Sequence, residues 1–253
     1  MNVLAMHSHP DDIEFVMAGT LFLLKRAGCE IHYANLANGS LGSTEHSREE
    51  IIDIRAGESR NAAEYLGATW HPSLFDDMEV IYSIENVARV ASIVRKARPH
   101  IMLVASPQDY MEDHMQACRL AVSAAFVRGM PNYRTVPPTE PYLDDVVLYH
   151  AMPHGVTGPL GETIVPDFYV DVGEVIDEKE NMLACHESQK SWLDTTQGMD
   201  SYLQTMRDLA RRVGSMSGVF EYAEGWRRHS LLGYSTVEQD PLRRLLEDQV
   251  HDS

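Results

Sequence analysis

The chain has 253 residues, 44% of them hydrophobic, and sets 21 Lys and Arg against 38 Asp and Glu for a formal net charge of -17. So acidic a chain lacks the clustered cations that nucleic-acid backbones and anionic membranes require, and no apolar run approaches a membrane span. Cys29, Cys118 and Cys185 are scattered, with neither a disulfide framework nor zinc-knuckle spacing, which points to a reducing compartment.

Residues 2–6 form an apolar run that reads as a buried strand, and residues 15–24 read as a helix. A strand opening at Asn2 leaves no room for a secretory leader, so a cytoplasmic protein is expected. Between strand and helix lies His7-Ser8-His9-Pro10-Asp11-Asp12-Ile13-Glu14, two imidazoles and three carboxylates in a single turn. Such turns lie at the carboxyl ends of parallel strands, where α/β sheets bind ligands. Neutral imidazole with carboxylate suits zinc, and a spare carboxylate beside the ligands suits a general base. A simple N-cap explains one Asp of this set and leaves the others without a role.

Gly28 stops the first helix, and residues 30–37 read as a second strand running into the turn Asn38-Gly39-Ser40-Leu41-Gly42-Ser43. Apolar residues at helical spacing predict a helix over 45–66, ended by Gly67, with Arg55 and Glu58 neighbours on one face. A short strand over 68–74, an acidic loop over 75–79 and a helix over 84–97 follow. The most apolar strand, 100–105, then empties into the polar loop Ser106 to His114, ahead of a helix over 115–127. Strands alternating with helices at this spacing indicate a mainly parallel twisted sheet flanked by helices. That sheet would bring the second polar loop beside the first, with His114 beside His9 and Asp12.

Residues 129–141 read as an ordered Pro-rich loop, 145–151 and 166–172 as further strands, and 155–163 as a turn between them. Helices are expected over 174–192 and 200–213, and the charged stretch 240–253 is expected to fray. No repeat or domain boundary interrupts the chain, so one domain over 1–253 is expected.

His9-Pro10-Asp11-Asp12 followed by Asp113-His114 resembles the LmbE/PIG-L-type N-acetylglucosaminyl deacetylases. Asn38-Gly39-Ser40-Leu41-Gly42, Arg55-Ala56-Gly57-Glu58, Phe168-Tyr169-Val170-Asp171-Val172, His186-Glu187-Ser188-Gln189 and Tyr222-Ala223-Glu224-Gly225 repeat further pieces of that pattern in order. The resemblance covers about residues 2 to 230 and looks closest to deacetylases of bacillithiol-type thiol synthesis. It implies a Rossmann-like α/β domain, a homo-oligomer (hexameric in several members) and removal of an acyl, usually acetyl, group from an amino sugar or its conjugate. It further implies Zn²⁺, with Fe²⁺ as an alternative occupant, on His9, Asp12 and His114, with Asp11 as general base and Asp113 behind the ligands. Arg55 and Asp77 fall where the family contacts sugar hydroxyls.

One departure stands out. The family's second motif commonly reads His-x-Asp-His, and Met111 occupies the place of its first His. A thioether donates no hydrogen bond, so the carbonyl-polarising role passes to another group, with His7, His150 and His154 as candidates, or goes unfilled. A zinc amidase acting on a thiol conjugate or another amide, or a catalytically altered metal-binding member, is the competing reading.

Overall fold

The computed structural model describes residues 1–190 and 202–253. Its strands are β1 (Asn2–His7), β2 (Glu30–Asn35), β3 (Thr69–His71), β4 (Ile101–Val104), β5 (Val147–Ala151), β6 (Phe168–Asp171), β7 (Ala223–Arg228) and β8 (Val250–Asp252). They form one sheet in the order β3-β2-β1-β4-β5-β7-β6-β8. The first five in that order run parallel, and β7 pairs antiparallel with both β5 and β6.

Side chains of the central strands alternate between two cores. Val3 and Ala5 of β1 face one core with Ile101 and Leu103 of β4. Leu4 and Met6 face the other with Met102 and Val104. Burial on both faces is why these strands read as continuous apolar runs. Helices α1 (Asp12–Val16), α2 (Ala18–Arg26), α3 (Arg48–Leu66), α6 (Ile176–Leu183) and α7 (Tyr202–Ser217) cover the first face. Helices α4 (Ile84–Ala97) and α5 (Glu112–Phe126) cover the second. The chain leaves β1 toward β2 on one side and later returns to β4 on the other. The β1 and β4 turns therefore flank the sheet's switch point, the place where ligands bind in such sheets.

Several local readings are corrected, each for a physical reason. The helix expected over 15–24 is two helices broken at Met17, whose backbone leaves the helical region (φ -135°, ψ -23°). The break opens the α2 N-terminus, and its Gly19 and Thr20 amides donate to the buried Glu224 carboxylate at 2.9 and 2.8 Å. Lys179 completes that site at 2.5 Å, and a Cβ on Gly19 would lie 2.5 Å from Val172, so only glycine fits. The helix expected from Glu174 is interrupted after Leu183, which frees His186 to face Glu14. Its end at Trp192, and the start of the next helix at Asp200, lie outside the described residues.

Helix α5 starts at Glu112, three residues earlier than expected, so Asp113 and His114 sit in its first turn. Helix α3 starts at Arg48 because Ser47 and Glu50 form a reciprocal capping box. Residues 240–253 do not fray. They form a short helix, α8 (Pro241–Leu245), and the edge strand β8, which pairs with β6.

Candidate active site

The turn after β1 is held in an unusual backbone shape. Asp11 adopts φ 101°, a left-handed conformation that costs a non-glycine residue energy and is retained where the surroundings enforce it. The enforcing contacts are the Asn35 amide donating to the His9 carbonyl at 2.6 Å and the Arg55 guanidinium donating to the Pro10 carbonyl. Asp11 occupies the N-cap position of α1, yet its carboxylate makes no capping hydrogen bond. It turns instead to Tyr202, whose hydroxyl donates to Oδ2 at 2.5 Å, with Arg55 Nη2 at 3.6 Å. Burial raises the Asp11 pKa, with Arg55 pulling the other way.

Asp12 Oδ2 is the hub of the site. His7 Nδ1 lies 2.9 Å from it, His114 Nε2 3.3 Å and His9 Nδ1 3.4 Å. His9 Nδ1 and His114 Nε2 are in turn 3.3 Å apart. Burial works against the Asp12 charge, but His114 and His7 outweigh it and hold its pKa well below the usual carboxylate range. Burial also opposes charge on both imidazoles. Hydrogen bonds to Asp113 and Asp12 nonetheless raise His9 to about 9, and Asp12 with Asp109 raises His114 to about 10.

Each of those two rings has a carboxylate on its far nitrogen. His9 Nε2 lies 3.1 Å from Asp113 Oδ2, which also accepts from the Met78 amide at 2.8 Å. His114 Nδ1 lies 3.1 Å from Asp109 Oδ2, in poor hydrogen-bonding alignment but within ion-pair range. Carboxylates behind ligating histidines fix the ring tautomer and orientation. Asp109 was not singled out in the sequence, and its place in the same strand-end loop as His114 is the one signal that points to it.

The donor set fits a divalent metal. His9 Nδ1, Asp12 Oδ2 and His114 Nε2 form a triangle with sides of 3.3, 3.3 and 3.4 Å. Tetrahedral zinc with ligand bonds near 2.0–2.1 Å has edges of about 3.3–3.4 Å. His7, Asp12 and His114 also offer three donor atoms within 4.8 Å of one another. His9, Asp12 and His114 all line the open cleft and His7 does not, so an ion held by the first set would face the cleft. His7 Nδ1 moreover accepts from the Ser8 amide at 2.8 Å.

The remaining expected residues reach the cleft in other roles. Asp77 accepts from the Gly39 and Leu41 amides at 2.8 and 2.9 Å and so pins the glycine loop. Arg55, 2% exposed, spends its guanidinium on the turn, although both side chains also line the cleft. Glu58 accepts from the Ser188 amide and hydroxyl, and buried Glu14 lies 3.2 Å from His186. Together they dock the segment that carries Gln189 to the cleft wall. His154 lines the cleft in a short turn, its ring 5.3 Å from Phe15. His150 points elsewhere: it meets Cys118, the Ala105 carbonyl and His229, and burial lowers it to about 4.

A family model described as PIG-L, GlcNAc-PI de-N-acetylase, matches residues 4–126, a stretch that holds His9, Asp12 and His114. The diacetylchitobiose deacetylase of Thermococcus kodakarensis is 31% identical over 234 residues, 89% of this chain and 82% of that one. A 4-oxalmesaconate hydratase of Pseudomonas putida is 25% identical over 197 residues, 75% and 74% of the two chains. Among solved structures, the N,N'-diacetylchitobiose deacetylase of Pyrococcus horikoshii matches with a TM-score of 0.72 at 25% identity, covering 95% of this chain and 88% of that one.

Proposed function

The chain belongs to the PIG-L, or LmbE-type, deacetylase family, and from that premise we propose that it is a metal-dependent hydrolase removing an acetyl group from an N-acetylated amino sugar. The observation that carries the reading is the His9, Asp12 and His114 triangle opening on the cleft, with the Asp11 carboxylate beside it and committed to no cap. A divalent ion, zinc or Fe²⁺, held there would polarise the amide carbonyl and acidify a water.

The chain's own residues do the rest. Asp11 accepts the proton from the attacking water as its oxygen bonds to the acyl carbon. It then returns that proton to the nitrogen as the C–N bond breaks, leaving acetate and a free amine. Tyr202 and Arg55 hold the Asp11 carboxylate in place. Asp113 and Asp109 hold the two ligand rings. Met111 lines the cleft without a polar hydrogen, and His154 is the nearby ring free to polarise the carbonyl in its stead. Burial lowers the His154 pKa, so at neutral pH it is an uncharged imidazole with one N–H to donate.

The hydratase relative supports a second reading, in which the same activated water adds to a carbon–carbon double bond. One assay separates the two. Zinc-loaded protein is offered N-acetylglucosamine and its conjugates, and free amine is measured. Release of amine that stops on chelation and returns with metal supports the deacetylase; bound metal with no amine from any conjugate counts against it. We further propose that the protein works as a cytoplasmic homo-oligomer; among the described residues no helix is long and apolar enough to cross a membrane.

A further inference from the structure

The cleft has a volume of about 280 Å³, and its charge is one-sided. Four carboxylates line it, Asp11, Asp12, Asp77 and Asp113, and with His9 and His114 neutral on a metal the one cationic side chain lining it among the described residues is Arg55. Arg55 is buried, its Nη2 is given to the Pro10 carbonyl and faces Asp11, and its unpartnered Nε is enclosed in the protein and not exposed to the cleft. No Lys lines the cleft among the described residues. Two positive charges from a bound metal would still leave this wall negative or neutral. A carboxylate or phosphate on the substrate would enter against like charge and find only the enclosed Arg55 as a counter-ion.

What remains for contact is apolar or uncharged. Leu41, Met78 and Tyr110 are 58%, 63% and 55% exposed at the cleft, where large apolar side chains are otherwise costly to leave in water. Met78 is held in a left-handed conformation (φ 64°), and its amide is tied to Asp113, so its thioether projects from the same residue that braces the ligand ring. Tyr110 packs edge-on to His114 at 6.0 Å and lies 6.2 Å from His154, extending an aromatic wall from the metal site outward. Gln189 supplies the neutral polar element: it is 3% exposed, lines the cleft, and its Oε1 has no hydrogen-bond partner among the described residues. An uncharged acceptor facing a cleft suits a substrate hydroxyl.

We infer that the substrate of this site is an uncharged N-acetylated amino sugar, seated by its apolar face and aglycone on Tyr110 and Met78, and that the cleft rejects anionic conjugates. This rests on the deacetylase reading and narrows it to neutral glycosides. Tyr110 and Met78 are then specificity residues, with Gln189 as the hydroxyl acceptor.

The test uses the full chain loaded with zinc and two near-isosteric probes, neutral para-carbamoylphenyl N-acetyl-β-glucosaminide and its para-carboxyphenyl twin. Binding is measured by calorimetry and turnover by release of amine. The neutral probe should be favoured by about tenfold or more, chiefly in KM and Kd, because only the charge differs. Met78→Lys, which sets an ammonium group at the cleft, should narrow that gap, and Tyr110→Ala should raise KM for the neutral probe far more than it lowers kcat. Equal or better use of the carboxylated twin overturns the inference while leaving the deacetylase reading intact. A protein that binds the neutral probe preferentially but releases no amine overturns the deacetylase reading and keeps the charge rule. Failure to bind either probe overturns both.

Discussion

Tyr202 and Asp11 are 191 residues apart in sequence, yet the Tyr202 hydroxyl donates to Asp11 Oδ2 at 2.5 Å inside the protein. The tyrosine is 1% exposed, and its own pKa is raised well above its usual value by burial and by the Asp11 charge. It therefore remains a donor throughout the working range. A hydrogen bond to a charged group contributes about 1.5–3 kcal/mol, and Tyr202→Phe should lower kcat by roughly 10–100-fold if that bond orients the base. Metal content and KM should stay close to wild type. Loss of metal in the variant would show that Tyr202 supports the ligands and not the base.

Asp11 itself is open to the complementary experiment. Asp11→Ala should keep its metal and lose about 10²–10⁴-fold in turnover, the usual contribution of a positioned acid–base group. Metal analysis run beside the kinetics decides between the two roles. A variant stripped of metal makes Asp11 a ligand.

The two candidate donor sets differ in one residue, His9 or His7. His9→Ala should abolish stoichiometric metal binding, while His7→Ala should retain it, because His9 faces the cleft and His7 lies behind Asp12. The reverse result transfers the ligand role to His7. Asp113→Asn should weaken metal affinity by about 10–100-fold, as loss of a carboxylate behind a ligating His does elsewhere. Metal affinity should also rise with pH. His9 and His114 are raised to about 9 and 10 in the metal-free protein, so both carry protons at neutral pH that a metal must displace. Affinity that stays flat from neutral pH to about 9 would contradict this displacement.

His154 is expected to take over the role that Met111 leaves open. His154→Ala should reduce turnover by about 10²-fold or more without releasing zinc, in the range seen when an oxyanion donor is removed. Full activity in this variant would mean that the metal alone polarises the carbonyl.

His150 lies away from the reaction centre and should act on stability. Its folded pKa is about 4, depressed first by burial, against 6.5 for the unfolded chain. Between those values the unfolded state binds more protons. The stability this group contributes is thus present above 6.5 and is lost as pH falls toward 4. Between neutral pH and pH 5 the loss should be about 2 kcal/mol. Denaturant unfolding of wild type and His150→Gln at both pH values checks it, the variant losing correspondingly less. Equal losses in the two proteins would remove His150 from the account.

The sequence by itself determined the central sheet and the meeting of its two turns rich in His and Asp. The apolar runs of β1 and β4 are continuous because both faces are buried. Parallel neighbours must also put their following turns at the same edge, so His9 and Asp12 meet His114 through topology alone. Helix starts were less legible, since Ser47 and Glu50 define one start by reciprocal hydrogen bonds, while the Met17 break depends on Glu224 some two hundred residues later. Strand β7 was legible only as a motif, because a strand carrying Glu224, Arg227 and Arg228 shows little β signal. Its charges are tolerated through Lys179, the α2 amides, and Gln108 and Ser106 in the β4 loop. Arg55 and Asp77 were visible as polar residues of the right kind. Their commitment to the Pro10 carbonyl and the glycine-loop amides was decided only in three dimensions. Local spacing fixes which groups stand on a turn, but the partner of a buried polar group is set by whichever distant segment excludes water from it. For that reason Asp109 and Tyr202 entered the site only with the tertiary structure, which also set His154 on the cleft and His150 away from it.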